Sequence, residues 1–322
     1  MSADGDDRDI HAIPARDIPA PAHLSAAARA SLTPWPAGST HPALADKAGW
    51  RAYVAAADET MARFIRAMPT DPGMQVTERQ ANGVRIYDIT PAQLAEPRGV
   101  VLDIHGGGLI LGGGELCRLM AMASAARLRQ RMWAVDYRMA PDHPYPAALD
   151  DCLAAYRALL AEHSPKTIIV SGASAGGNLA AALMLRAGDE GLPLPAGLIL
   201  GTPEVDLTES GDSFQTNMGV DPVLGSLMQV NLLYADGRDL RDPYLSPLFG
   251  DFSKGFPPTL LTTGTRDLYL SNTVRMHRAL RAAGVPAALH VLEAAAHTGF
   301  PGSPEGEALD DEVRLFIQSV LG

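Results

Sequence analysis

The stretch from residue 167 to residue 182, TIIVSGASAGGNLAAA, narrows the possible folds most. Thr167, Ile168, Ile169 and Val170 are β-branched or apolar and predict a strand. Leu179 to Leu183 predict a helix. Between them lies Gly172-Ala173-Ser174-Ala175-Gly176, a G-x-S-x-G placed where a strand hands over to a helix. A serine there sits on a tight, strained turn, and its hydroxyl stands clear of the sheet. The flanking positions admit little more than glycine, because the chain packs closely on itself. The helix that follows aims its free N–H groups and positive dipole end at the same spot.

Such an element needs a large sheet around it, and the chain can supply one. It has 322 residues, 47% of them hydrophobic, which is ample for a sizeable core. Its net charge is -11, from 37 acidic and 26 basic residues, and no basic patch stands out. Nucleic acid and anionic membranes are therefore poor partners. Cys117 and Cys152 have neither C-x-x-C nor zinc-ligand spacing, so reduced thiols are expected. The opening MSADGDDRDI has no basic region followed by an apolar run. Apolar stretches stop well short of the about 20 residues a membrane span needs. A cytoplasmic location is the expectation.

Residues 1 to about 20 read as loose. Helices are predicted over His23 to Ser31 and Ala43 to Met68. Met74 to Arg79 and Val84 to Ile89 predict two strands around the turn signal Asn82-Gly83. Strands and helices then alternate: strands at 100–104, 132–135, 198–200, 259–262 and 287–292, and helices at 115–129, 145–162, 272–283 and 304–321. That rhythm predicts an α/β fold, a mostly parallel sheet covered by helices on both faces. Residues 206–240 break it, with an amphipathic helix over Leu224 to Tyr234. The expected division is N-terminal cap helices over 1–70, the first part of the core over 71–205, a cap insertion over 206–240 and the second part of the core over 241–322.

Three further features converge on the serine. After the strand ending at Ile104 comes His105-Gly106-Gly107-Gly108, whose glycines let backbone N–H groups turn toward one point. Acyl transfer needs such donors for the oxyanion of its tetrahedral intermediate, and Ala175 N–H would add another. The glycines do not complete G-x-G-x-x-G, which argues against a phosphate loop. His105 itself reads as a brace for the loop. A serine also needs a base, and the base an orienter. Asp267 and His297 follow later strands, in the chain order Ser, Asp, His. Asp206, after the preceding strand, competes with Asp267 for the acid role. No histidine pair has metal-ligand spacing, so no metal and no cofactor are expected.

HGGG, then Tyr137-Arg138-Met139-Ala140-Pro141-Asp142-His143-Pro144-Tyr145-Pro146, then G-x-S-A-G-G, then Asp267 and His297 resemble the hormone-sensitive lipase family of α/β-hydrolases. The match runs from about residue 85 to the C-terminus. The resemblance implies an eight-stranded sheet, a helical cap and carboxylesterase activity on short acyl chains. It also implies an oxyanion hole from Gly106, Gly107 and Ala175. The chain departs from the family pattern at four places. Ala173 replaces the usual Asp before the nucleophile, Leu268 the usual proline after the acid, and Ser271 an acidic residue a few positions on. Glu204 stands where an apolar or aromatic residue is usual, and reads either as a polar group of the pocket or as a surface group.

The resulting expectation is a serine carboxylesterase with Ser174, Asp267 and His297 as its triad, acting on a small-molecule ester or lactone. The competing readings are a lactone hydrolase of the same family and a non-catalytic small-molecule-binding protein on the same fold. The presence of all three triad members argues against the latter. A homodimer is left open.

Overall fold

The computed structural model describes residues 13–34, 40–67 and 71–322. The expectation of a loose tail falls in part on residues 1–12, and that of a helix reaching Met68 in part on 68–70, which lie outside the described residues. The strands are β1 (Gln75–Ala81), β2 (Val84–Thr90), β3 (Val100–Ile104), β4 (Arg131–Asp136), β5 (Ile168–Ala173), β6 (Gly197–Gly201), β7 (Thr259–Gly264) and β8 (Ala287–Leu292). The helices are α1 (Ala26–Ala30), α2 (Lys47–Arg66), α3 (Glu115–Leu128), α4 (Ala147–Glu162), α5 (Ala175–Asp189), α6 (Ser213–Thr216), α7 (Met228–Ala235), α8 (Leu270–Ala282) and α9 (Pro304–Leu321).

The strands form one sheet of eight in the order β1-β2-β4-β3-β5-β6-β7-β8. β2 pairs antiparallel with both β1 and β4, and all later pairings are parallel. The opening hairpin closes between Ala81 and Val84, with Asn82 at φ 51° and Gly83 at φ 86°. Positive φ at both central residues is what a two-residue turn between right-twisted strands requires.

Each central strand is apolar on both faces, and its residues alternate between two cores. Val100, Leu102 and Ile104 join Trp133, Val135, Ile168 and Val170 under α4, α5 and α8. Val101, Met132, Ala134 and Ile169 join α3 and α9 on the other side. This sandwich fixes β5 at the centre, so the turn leaving it opens at the middle of the sheet's carboxyl edge, where α/β folds place their ligands.

Several helix starts differ from expectation by a few residues, and local side-chain bonds accompany three of them. Ser25 accepts the Ala28 N–H and starts α1 three residues after His23. Asp46 accepts the Gly49 N–H and starts α2 at Lys47. In the insertion the helix begins at Met228 and not at Leu224. Before it, Asp221 Oδ1 accepts the N–H groups of Val223 and Leu224, and Glu209 accepts the Leu227 N–H and the Ser226 hydroxyl, which pins residues 221–227 as a side-chain-braced loop.

The two N-terminal helices go to different places. Trp50 of α2 shares an apolar cluster with Ile110, Ala140, and Val230 and Leu233 of α7, above the glycine loop. Leu24 and Ala28 at α1 pack against Ala294, Ala295 and Phe300, in the loop that follows β8. Among the described residues no helix is long and apolar enough to cross a membrane.

Candidate active site

The turn after β5 carries Ser174 at φ 55° and ψ -125°. A non-glycine residue there is strained, and it persists only because its surroundings over-determine it. A Cβ on Gly172 would lie 2.2 Å from the Gly176 carbonyl oxygen, and one on Gly176 2.0 Å from that of Ile104. Neither glycine can be replaced without moving backbone. Ser174 N–H donates to the Gly201 carbonyl at 2.9 Å, tying the turn to the neighbouring strand.

His297 lies in the loop after β8, with Nε2 at 3.0 Å from Ser174 Oγ and Nδ1 at 3.1 Å from Asp267 Oδ1. The two contacts run in series, from hydroxyl to imidazole to carboxylate. Asp267 is fully buried. Its Oδ2 accepts from the Thr263 hydroxyl at 2.7 Å, and its Oδ1 accepts the Tyr269 N–H at 2.9 Å besides facing His297. Tyr269 also sets its ring edge-on against the imidazole at 5.0 Å. Burial alone would lower the pKa of His297. The hydrogen bond to Asp267 and the charges of Asp267, Asp221 and Glu204 outweigh burial and raise it.

Beside the serine, Gly106 approaches so closely that a Cβ there would sit 2.9 Å from the Ala173 carbonyl and 3.3 Å from Ser174 Cβ. Gly107 (φ 123°), Gly108 (φ 59°) and Leu109 (φ 65°) turn the chain, and the Gly107 carbonyl accepts the N–H groups of Ile110 and Leu111. Among the described residues the amides of Gly106, Gly107 and Ala175 make no loop, turn or cap hydrogen bond. His105 does not face it: its ring stacks on Tyr137 at 4.1 Å, and Nδ1 lies 2.8 Å from the Gly106 carbonyl. Burial pushes its pKa down to about 4, so it stays neutral.

Asp206 is equally buried but points elsewhere. It accepts from the Thr208 and Ser210 hydroxyls and from Arg275 Nη1 at 2.6 Å. Those bonds hold its pKa below the usual value against burial, which acts the other way. His277 and His290 lie within α8 and β8.

Of the open readings, Glu204 is an interior group, 1% exposed. Its N–H donates to the Ser174 carbonyl at 3.1 Å, and its carboxylate oxygens have no hydrogen-bond partner among the described residues. Burial pushes its pKa up to about 7, although Tyr269, Asn231 and His297 pull it down. Sequence reasoning passes over Tyr269, Asn217 and Asp221; the turn signal Asp221-Pro222 is the only local sign of the last. A cavity of about 580 Å³ lies between α2 and the loop after β4, and none of Ser174, Asp267 or His297 lines it.

The α/β-hydrolase fold family matches residues 101–301. An esterase of Acinetobacter venetianus is 37% identical over 227 residues, covering 69% of this chain and 74% of its own. The solved structure of an esterase from the bacterial hormone-sensitive lipase family superposes with a TM-score of 0.77 at 32% identity, over 82% of this chain and 91% of that one. The chain belongs to the hormone-sensitive lipase family of α/β-hydrolases. The crystal structure of esterase E25 is more similar still, with a TM-score of 0.89 at 37% identity over 96% of this chain and 98% of that one. Within the family this chain is a carboxylic ester hydrolase.

Proposed function

We propose that the protein is a serine carboxylesterase that hydrolyses short-chain acyl esters through an acyl-enzyme. The observation that carries this reading is the pair of contacts on His297, 3.0 Å to Ser174 Oγ and 3.1 Å to Asp267 Oδ1. Ser174 Oγ attacks the ester carbonyl while His297 Nε2 takes its proton. Asp267 holds Nδ1–H and thereby fixes the tautomer. The N–H groups of Gly106, Gly107 and Ala175 receive the oxyanion. His297 then gives its proton to the departing alcohol. Water, deprotonated by the same nitrogen, releases the acid and restores the serine.

The short acyl preference rests on how the cap closes. In this reading the described residues within 1–70, together with 206–240, form that cap over the core. A Cβ on Gly108 would lie 3.6 Å from Leu227 and Val230, so the insertion sits directly on the glycine loop. Trp50 closes the same roof from α2. Such a roof excludes water and limits chain length. Rates on p-nitrophenyl esters of increasing acyl length, run beside small lactones, test this. Turnover should peak at short chains and fall steeply beyond them. A peak at long chains, or lactones turned over faster than every ester, would overturn it.

A further inference from the structure

We propose that Asp221, in the cap insertion, is a positioning residue that holds the loops carrying the catalytic acid and base in register. This rests on the triad proposed above. Asp221 is 5% exposed, and its two oxygens divide their work. Oδ1 accepts the N–H groups of Val223 at 2.9 Å and Leu224 at 3.1 Å, within the insertion. Oδ2 accepts the Leu268 N–H at 3.0 Å and the His297 N–H at 3.2 Å. One carboxylate thus joins the residue after the acid to the base itself, and both to the cap.

Two neighbours in the insertion act on the same loop. Asn217 Nδ2 donates to the carbonyls of Thr265 at 3.2 Å and Asp267 at 2.8 Å. Ser213 Oγ donates to the Leu268 carbonyl at 2.6 Å, and Ser213 N–H donates to Ser271 Oγ at 2.8 Å. Residues 213, 217 and 221 therefore clasp residues 265–271, mostly by the backbone. The clasp depends on the residues at 268 and 271. A proline at 268 would have no N–H to give to Asp221. Ser271 offers the small hydroxyl that Ser213 meets.

The geometry matters because the triad tolerates little displacement. An error of about 1 Å in a reacting group costs on the order of 100-fold in rate. Asp221 is also one of the charged or titratable groups facing His297, together with Asp267, Glu204 and Tyr269. Its charge favours the protonated imidazole.

The test compares Asp221→Asn, Asp221→Ala and Asn217→Ala with the full-length enzyme on p-nitrophenyl acetate. For Asp221→Asn, kcat should fall about 10-fold to 100-fold while KM moves little, with far-UV circular dichroism unchanged. The acid limb of its kcat/KM profile should move to lower pH, because a charge that raised the His297 pKa is gone. Alanine should lose more than asparagine, which keeps one acceptor oxygen. If neither Asp221 variant folds, Asn217→Ala decides: a lowered kcat at unchanged KM supports the clasp, and an unchanged kcat overturns it. Altered KM or acyl preference at unchanged kcat would make Asp221 a wall of the pocket and overturn the proposal. Failure of the triad itself is read separately, as absence of stoichiometric phosphonylation at Ser174 in the unmutated enzyme.

Discussion

Asp206 and Asp267 occupy matching points of adjacent parallel strands, a few residues beyond the ends of β6 and β7. Both are fully buried. They differ in the donors that reach them first. Asp206 is enclosed by Thr208, Ser210 and Arg275, whose donors place two hydrogen bonds on each of its oxygens and leave no acceptor position open to a histidine. Asp267 receives one hydroxyl on Oδ2 and one backbone N–H on Oδ1, which leaves Oδ1 room for the imidazole. A carboxylate's place in a fold does not settle its role. What decides it is whether its hydrogen-bonding capacity is exhausted locally or left open toward the reacting group.

Asp267→Asn gives the largest contrast. An amide at that position favours the wrong tautomer of His297, and kcat should fall about 10³-fold to 10⁴-fold with the fold retained. Steady-state kinetics on a short p-nitrophenyl ester, with thermal melts alongside, measure this. Retention of near-normal kcat would assign the orienting role to another group.

Glu204 sharpens the comparison from the other side, since it is buried with no donor of good geometry on either oxygen among the described residues. Its pKa is pushed from 4.5 up to about 7, first by burial. Between those values the folded chain keeps a proton that the unfolded chain has released. Stability from this group therefore falls as pH rises across that window, by about 3 kcal/mol in total, and is flat above it. Glu204→Gln should abolish the fall. Urea midpoints of the two proteins should agree near pH 4.5 and diverge by pH 8, with the variant more stable. Parallel pH curves would contradict the account of Glu204 as an uncompensated interior carboxyl.

Asp206→Asn should give the smallest effect. It keeps an acceptor for Thr208 and loses the charge facing Arg275, whose side chain is 37% exposed and screened by solvent. We expect a loss of about 1 to 2 kcal/mol in stability and a kcat within about threefold of the parent. A dead Asp206→Asn enzyme beside a healthy Asp267→Asn enzyme would reverse the two assignments.

The parts of the molecule legible in sequence are those where one residue type has few alternatives. The turn around Ser174 needs Gly172 and Gly176 because backbone lies at 2.2 Å and 2.0 Å from any Cβ there. The strands announce themselves because β3, β4 and β5 are apolar on both faces. The alternation of strands and helices therefore suffices to put Asp267 and His297 at the sheet's carboxyl edge. The insertion is illegible for the opposite reason. Residues 206–227 are held by side-chain-to-backbone bonds from Glu209, Ser213, Asn217 and Asp221, which have no period. The helix there starts at Met228, after a loop braced by Asp221 and Glu209, and apolar spacing does not report such side-chain bracing. Glu204 is illegible as well, since a carboxylate in sequence gives no sign that it will be sealed inside.

The central claim, that Ser174 is the nucleophile of this site, is tested most directly with a p-nitrophenyl phosphonate. The p-nitrophenol released is counted against enzyme, and the modified peptide is located by mass spectrometry. The account predicts one equivalent per chain, attached to Ser174, and none released by Ser174→Ala, whose esterase kcat should be lower by about 10⁴-fold to 10⁶-fold. Label on any other residue, or a Ser174→Ala enzyme that keeps more than about 1% of parental kcat, would contradict it.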